Sequence, residues 1–194
     1  MKDCIEKEDL VFFSLIEKRR SIRKFLDKPV ETQKIDKIME AVLRAPSSRG
    51  FNPWEFIFVT DQTVLGHLSK SKPHGSSFLK NAVLGIVVLA DEKKCDVWVE
   101  DSSIASIFIQ LAAQALELGS CWIQIRKRMH DDSISAEDYV RNLLQIPETL
   151  RVESIIAIGY PDEKKAAHKK NKLQYEKIYH NQYKQPMALD EEEI

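Results

Sequence analysis

The chain has 194 residues, of which 43% are hydrophobic and 30% are charged, and its 29 basic and 30 acidic residues give a formal net charge of -1. This length suits one domain, with an extension at most, and is short for two. A charge balance this close to zero excludes a global basic field, so neither nucleic acid nor an anionic membrane is implied as a partner. Any site for an anion must therefore be local.

The cysteines and the apolar runs narrow the class further. Cys4, Cys95 and Cys121 are an odd number of cysteines without close spacing, which argues against a disulfide framework or a zinc site. The first residues show no apolar core followed by a cleavage site, and no apolar run reaches the roughly 20 residues that cross a bilayer. We therefore expect a cytoplasmic protein without a membrane partner.

The first half of the chain predicts two helices, a strand, a helix and a second strand. Apolar residues cluster over residues 10–18 and recur on one helical face over residues 35–43. Residues 55–60 are short, aromatic and β-branched, as in a strand, and Asp61 can cap the helix that follows. Residues 82–90 are nearly all apolar, which predicts a central strand covered on both faces.

The second half continues the alternation of helices and strands. The longest helical pattern lies between Asp101 and Gly119, which we interpret as its N-terminal and C-terminal stop signals. Its apolar stripe is so broad that the helix must be buried in the core or against a second subunit. Strands are predicted over residues 121–125 and 152–160, with a helix between them that a capping box at Ser135 begins. The pattern indicates an α/β or α+β sheet with helices on both faces.

The C-terminal portion differs in composition from the rest. A basic stretch without glycine over residues 164–172 predicts a loop, and the aromatic residues that follow predict an arm lying over another surface, such as a partner subunit. The acidic end predicts a flexible tail. We therefore expect a single domain over residues 1–183, including the arm, and a tail over residues 184–194.

Residues 19–25 read RRSIRKF and concentrate hydrogen-bond donors directly after a helix. If this segment is extended, its period of two places Arg19, Ser21 and Arg23 on one face, where they can bind a phosphate or another delocalised anion. The alternative is a solvated helix end, because the helix dipole favours cations there. The pattern alone leaves both readings open.

The usual catalytic patterns are absent from the sequence. It contains no phosphate-binding P-loop, no G-x-G-x-x-G and no G-x-S-x-G, and its five histidines lack metal-ligand spacing. Asp101, Asp131 and Asp132 read as helix caps rather than as an acid/base pair. A bound cofactor would therefore have to carry any reaction. The loop over residues 45–54, rich in Ser, Gly, Asn and Pro, would let the backbone approach such a ligand, unless it is an ordinary connector.

Together these motifs resemble the nitroreductase family. The matching pieces are RRSIRKF at 19–25, APSS at 45–48 with PW at 53–54, GSCWI at 119–123, IP at 146–147 and IGYP at 158–161. The resemblance covers residues 10–183 and implies an α+β fold, with a central mixed, mainly antiparallel sheet flanked by helices on both faces and a C-terminal arm onto the partner subunit. It also implies an FMN-dependent NAD(P)H oxidoreductase that is a homodimer with FMN at its interface.

The resemblance assigns the first motif to the cofactor. Arg19, Arg20 and Ser21 would hold the phosphate and ribityl chain of FMN, and Arg23 would face the pyrimidine edge of the flavin. A cation at that edge stabilises negative charge on the reduced ring, which raises the reduction potential and favours hydride acceptance.

The resemblance also brings two distant groups to the cofactor. Pro46, Ser47 and Ser48 would reach the FMN of the other subunit. Lys170 and Lys172 stand where the family has a basic pair on the phosphate. An arginine is common in that pair, so lysine keeps the charge but loses the bidentate fork.

The resemblance leaves the chemistry to the flavin itself, with no catalytic side chain and no metal. The backbone around Ile123 and Gln124 would lie near the flavin N5. Many members have Asn and Gln in the loop before the Pro-Trp pair, where this chain has Gly50 and Asn52. Contacts of these two residues with the flavin are therefore left open.

The implied activity is hydride transfer from NADH or NADPH to flavin N5, followed by ping-pong reduction of a nitroaromatic, quinone or similar small molecule. Short segments over residues 68–80 and 91–100 leave little room for a lid over the substrate. One alternative is an FMN-binding sensor or storage protein without significant turnover, and another is an interaction module without flavin. The sequence does not distinguish NADH from NADPH.

Overall fold

The structure, a computed structural model, describes residues 9–187. They separate into two compact units, one formed by Arg19–Lys165 and the other by the two ends of the chain. Cys4 and the acidic residues 190–193 lie outside the described residues. The division into one domain over residues 1–183 and a tail stays a prediction.

The larger unit is built on a four-stranded antiparallel sheet. Its strands are β1 (Trp54–Val59), β2 (Leu84–Asp91), β3 (Gly119–Gln124) and β4 (Leu150–Gly159), in the order β1-β2-β4-β3. All four strands predicted from the sequence are present, each within two residues of its predicted bounds. The predicted fold class is confirmed, although the named strands pair only in antiparallel fashion.

Helices cover both faces of this sheet because β2 and β4 carry apolar residues on both sides. Along β2, Leu84, Ile86 and Val88 belong to one buried cluster, whereas Val87 and Leu89 belong to another. This alternation is the period of two that a strand imposes on its side chains. The prediction of a central strand covered on both faces is confirmed.

Five α-helices accompany the sheet within the described residues. They are α1 (Asp9–Lys18), α2 (Thr32–Leu43), α3 (Gln62–Leu68), α4 (Trp98–Ala115) and α5 (Ala136–Leu144). Helices α2 and α4 contribute to the first buried cluster, and α3 and α5 contribute to the second. None of the helices within residues 9–187 is long and apolar enough to cross a membrane.

Asp101 does not cap α4, and this prediction is wrong. The helix begins at Trp98, so Asp101 lies within its first turn and Val97 is the residue before it. The Asp101 carboxylate is buried and accepts a hydrogen bond from the backbone N–H of Ser48 at 2.8 Å. The Asp101 carboxylate, predicted to accept from the first turn of α4, thus accepts from the distant loop that contains Ser48.

Gly119 is not the stop signal of α4 either. The left-handed residue after the helix is Glu117, with a φ of 61°, and the N–H of Leu118 donates to the carbonyl of Ala113 at 2.8 Å. This bond closes the helix end in the manner of a Schellman motif. Gly119 instead begins β3, where the absence of a side chain leaves room for Ile22.

Two predicted caps are confirmed, and those at Asp131 and Asp132 are wrong. The side chains of Asp61 and Ser135 accept hydrogen bonds from backbone N–H groups in the first turns of α3 and α5. Asp131 instead accepts from the N–H groups of Ser133 and Ile134, both at 2.8 Å, and so closes the turn before α5. Asp132 is exposed and lies outside the helix.

The smaller unit contains α1 and the C-terminal segment. Helix α1 exposes Val11, Phe12 and Phe13. The C-terminal segment forms short 3-10 turns at Lys170–Lys172 and Tyr175–Lys177. That this segment forms an arm onto a partner subunit stays a prediction.

Candidate functional site

The RRSIRKF segment, residues 19–25, runs across the ends of β3 and β4. Ser21 forms an isolated parallel bridge with Ser120, which is the one parallel pairing in the part of the chain that the structure describes. The N–H of Ile22 donates to the carbonyl of Ser120, and the N–H of Leu26 to that of Tyr160, both at 2.9 Å. The segment is therefore extended and attached to the sheet at both of its ends.

Two apolar side chains and two glycines hold this segment in place. Ile22 is 8% exposed and Phe25 is 7% exposed. A Cβ atom at Gly119 would lie 2.8 Å from Ile22, and one at Gly159 would lie 3.0 Å from the Phe25 ring. Gly119 and Gly159 are paired in the sheet, so one pair of glycines admits both side chains. This close approach is the reason that β3 begins, and β4 ends, with glycine.

The Cys121 thiol on β3 responds to two polar side chains of the segment. Burial raises the pKa of the Cys121 thiol above its ordinary value, while the Arg23 guanidinium and a hydrogen bond with Ser21 act in the opposite direction. The Arg23 guanidinium carbon also lies 5.7 Å from the centre of the Phe78 ring. Ser21 and Arg23 thus both act on Cys121, whereas Arg19 is half-buried at the beginning of the segment.

Glu163 and Lys165 return from beyond β4 to the same segment. One carboxylate oxygen of Glu163 accepts hydrogen bonds from the N–H groups of Arg23 at 2.6 Å and Lys24 at 3.2 Å, and the first of these bonds contributes most to lowering the pKa of Glu163. The Lys165 ammonium donates to the carbonyl of Ser21 at 2.6 Å. Lys165 was not predicted as a site residue, although it stands in the basic stretch that the sequence shows.

The outer edge of β3 continues this site. Beyond Ser120, the described residues provide no strand that pairs with this edge from Cys121 to Gln124. The Ile123 side chain is fully buried in the core. The backbone of Ile123, rather than its side chain, is therefore what a bound molecule could contact at this strand.

A polar network fixes the end of β3. The Gln124 side-chain oxygen accepts from the Trp122 indole N–H at 2.9 Å, and the Gln124 amide donates to the carbonyl of Arg126 at 3.1 Å. The buried Glu153 carboxylate lies 3.4 Å from the same amide, and burial raises its pKa above the ordinary value. Gln124 thus stabilises the backbone of the strand end.

The loop that contains Ser47 and Ser48 is held in another way. The Ser47 hydroxyl accepts from the N–H of Asn52 at 2.9 Å and donates to its side-chain oxygen at 2.7 Å. Ser48 is bonded to Asp101, as described above, and Arg49 and Asn52 have left-handed φ values of 54° and 46°. None of these bonds reaches the segment of residues 19–25.

The predicted site residues therefore fall into three groups. Arg19, Arg20, Ser21 and Arg23 lie on the segment that β3 adjoins, and Ile123 and Gln124 lie on β3 itself. Pro46 is exposed at the beginning of its loop, beside Ser47 and Ser48. Lys170 and Lys172 are exposed on a turn of the smaller unit.

No group of three or more His, Cys, Asp or Glu side chains within residues 9–187 is arranged to hold a metal ion. The polar groups at the segment and at β3 include cations, hydroxyls and backbone groups. Such donors suit an organic anion with several acceptor atoms.

The described sheet and helices form an α+β fold, and sequence comparison gives the family of the chain. The sequence model described as the nitroreductase family matches residues 16–71 and 62–160. The chain belongs to the nitroreductase family, and the resemblance predicted from its motifs is confirmed.

Individual proteins support this membership. An FMN-dependent nitroreductase from Clostridium difficile R20291 has a solved structure that is 51% identical, with a TM-score of 0.87 over 88% of this chain and 99% of that one. A protein of Archaeoglobus fulgidus, provisionally named NADH dehydrogenase/NAD(P)H nitroreductase, is 37% identical over 85% of this chain and 89% of its own length. An FMN reductase [NAD(P)H] of Bacillus subtilis is 26% identical over 84% of this chain and 70% of its own length.

Proposed function

We propose that this protein is an FMN-dependent NAD(P)H oxidoreductase. The observation that carries the proposal is the extended segment of residues 19–25, held across the ends of β3 and β4. It places Ser21 against Lys165, with Arg23 two residues further along, beside a sheet edge that no strand within residues 9–187 pairs. The names of the relatives, which include an FMN-dependent nitroreductase and an FMN reductase [NAD(P)H], support the same activity.

The donor set fits FMN. Arg19, Arg20 and Ser21 supply guanidinium and hydroxyl groups for a phosphate and a ribityl chain, and Lys165 adds a cation at the carbonyl of Ser21. FMN, when bound, supplies the N5 position that accepts hydride from NADH or NADPH and then, in ping-pong order, reduces a nitroaromatic, quinone or similar acceptor. The chain supplies binding, orientation and charge.

Arg23 provides the charge that the flavin requires. Its backbone N–H is held by Glu163, and its guanidinium lies over the Phe78 ring, so its position is defined before a ligand binds. A preorganised cation stabilises negative charge without reorganisation during the reaction. The edge of β3 near Ile123 and Gln124 adds backbone donors and acceptors, and the Glu153 network keeps that edge in place.

A homodimer completes the proposed site. Helices α2 and α4 expose apolar side chains, among them Leu43 and Ile107, which a second copy would cover. Within one chain, the bonds of Ser47 and Ser48 stay in their loop and at Asp101. A partner subunit would bring this loop to the cofactor, as the family resemblance implies, and Lys170 and Lys172 would add to the phosphate site.

Flavin binding and reduction test the proposal. We expect the purified protein to show an oxidised-flavin spectrum that is bleached on anaerobic mixing with NADH or NADPH. Arg19→Ala and Arg23→Ala should release FMN, whereas Lys37→Ala, an exposed cation on α2, should retain it. Bound FMN that neither nucleotide reduces would favour the sensor or storage protein, and a chain that fails to bind added FMN would refute both functions.

The oligomeric state tests the dimer. Light scattering should give twice the chain mass of 22.4 kDa for the native protein. A charged substitution on α4, Ile107→Lys, should shift it towards the monomer and weaken FMN binding, because it places a cation in a buried interface. Leu26→Lys, a substitution at an exposed leucine outside α2 and α4, should leave the dimer intact. A native monomer that binds FMN fully would contradict the interface.

A further inference from the structure

A cationic cavity of about 410 Å³ lies between the turn after α3 and the turn before α5. Its lining contains three lysines, a histidine and two serines: Lys70, Lys72, Lys80, His130, Ser69 and Ser77. No carboxylate lines it. A cavity with this composition attracts anions, because its positive charges have no opposite charge within the wall.

The positive charge of this cavity is not neutralised elsewhere in the described chain. Lys70, Lys72 and Lys80 take part in no ion pair within residues 9–187. His130 Nε2 lies 3.8 Å from one carboxylate oxygen of Asp131, and the other oxygen accepts the bonds of the turn. The lysines therefore remain available to a ligand.

The walls of the cavity are ordered by their own contacts. The Ser76 hydroxyl donates to the carbonyl of Ser69 at 2.8 Å, which closes the chain around Lys72. The His130 ring stacks on Tyr139 with 4.1 Å between the ring centres, and the Tyr139 hydroxyl donates to the carbonyl of His67 at 3.0 Å. The cations thus stand on a defined surface rather than on a free loop.

The cavity adjoins the proposed flavin site. Ser77 lines the cavity, and the ring of the next residue, Phe78, has the Arg23 guanidinium carbon 5.7 Å from its centre. Burial lowers the pKa of the Lys72 ammonium, Arg128 lowers it further, and the Cys121 thiol acts in the opposite direction. The charge of Lys72 thus acts on the same thiol as Ser21 and Arg23 do.

We propose that this cavity binds a phosphate group of the nicotinamide dinucleotide that reduces the protein, with Lys70, Lys72 and Lys80 as the cations. The inference rests on the proposed function, since it concerns the electron donor of the same site. A donor whose nicotinamide lies at the flavin must place its phosphates a short distance away. The phosphate is either the 2′-phosphate of NADPH or the pyrophosphate that NADH and NADPH share.

Rapid flavin reduction separates these two sources. The double variant Lys70→Ala/Lys80→Ala removes two exposed cations and leaves the 19–25 segment intact. We expect its apparent Kd for the donor to rise about tenfold or more, the effect of losing charge-assisted bonds to an anion. A rise for NADPH alone assigns the 2′-phosphate, and an equal rise for both nucleotides assigns the pyrophosphate. The matched control Lys37→Ala/Lys93→Ala, two exposed lysines outside the cavity, should leave both values unchanged.

Calorimetry gives a readout that does not depend on turnover. The native protein should bind 2′,5′-ADP or ADP, which carry the 2′-phosphate and the pyrophosphate respectively, and the Lys70→Ala/Lys80→Ala variant should lose that binding. If the flavin is reduced normally but donor affinity is the same in native and variant protein, the cavity assignment is overturned while the proposed function stands. If neither nucleotide reduces the flavin, the proposed function fails, and calorimetry alone decides whether the cavity binds these phosphates.

Discussion

Two regions of this protein are predicted to contact FMN, the second of them the FMN of the other subunit, and they are held in place by different forces. The segment of residues 19–25 lies against the sheet because Ile22 and Phe25 pack on a pair of glycines. The loop of residues 46–52 packs little, and it depends on hydrogen bonds and left-handed residues. Packing limits a segment through excluded volume, whereas a polar loop is only as well defined as the acceptor that holds it.

The largest expected effect is the loss of packing in the first region. Ile22→Ala should lower the free energy of unfolding by about 3 kcal/mol, because it leaves a cavity against Gly119. Urea denaturation measures this change, and FMN affinity should fall with it. Leu26→Ala, at a side chain that is 42% exposed, should cost less than about 1 kcal/mol. Equal losses in the two variants would show that packing does not position the segment.

The second prediction concerns the opposite change, in which a Cβ atom is added at the glycine against which Ile22 packs. Gly119→Ala should cost about 2 kcal/mol, because the new Cβ would lie 2.8 Å from Ile22 and the segment would have to move. Gly66→Ala is the matched control, since Gly66 lies in α3 with no atom within 4 Å of an added Cβ. That change should stabilise the protein by about 0.5 kcal/mol through helix propensity. Thermal unfolding of both variants would distinguish steric from general effects of glycine replacement.

The third prediction concerns the loop of residues 46–52, which loses a hydrogen-bond acceptor when Asp101 is replaced. Asp101→Ala should cost about 1 to 2 kcal/mol, because the N–H of Ser48 loses its partner. Amide exchange at Ser48 should accelerate, while exchange at Ile22 should not. Asp96→Ala removes only the exposed ion pair with Arg49 and should cost less than about 0.5 kcal/mol. Unchanged exchange at Ser48 would mean that other contacts hold the loop.

The smallest expected effect is a pH dependence confined to the first region. The pKa of Glu163 is lowered chiefly by its hydrogen bond with the N–H of Arg23, so its contribution to stability is present above the ordinary value of 4.5. That contribution is lost as the pH falls below 4.5 and the carboxylate is protonated. Amide exchange at Arg23, measured between pH 6 and pH 3, should accelerate in native protein relative to Ala82, whose N–H donates to the backbone carbonyl of Leu79. In the Glu163→Gln variant this extra pH dependence should disappear. If it persists, another titratable group causes the pH dependence of exchange at Arg23.

Much of the fold could be predicted because it follows local periodicity. The four strands, their two-sided burial and the cap at Ser135 depend on residues close in sequence, and all are present in the structure. The errors at Asp101 and Gly119 have one cause. Both residues match local stop signals, but each is used by a distant segment, Asp101 by Ser48 and Gly119 by Ile22.

The candidate site was less accessible to sequence reasoning. Arg23 and Ser21 stood out as donors, but Glu163, which holds the N–H of Arg23, is 140 positions away. Lys165 and Lys72 belong to basic stretches that look like solvated surface, and only their neighbours in space distinguish them. Lys70, Lys72 and Lys80 were not predicted as site residues, and only the fold places them around one cavity.

The sequence by itself determined the secondary structure, the family and the concentration of donors at residues 19–25, because these depend on side-chain identity and on periods of two to four residues. The tertiary structure decided which donors act together. Ser21, Arg23, Glu163 and Lys165 meet only because β3 and β4 pair at Gly119 and leave room for Ile22. Contacts between distant parts of a chain depend on backbone geometry and excluded volume, and a local pattern contains neither.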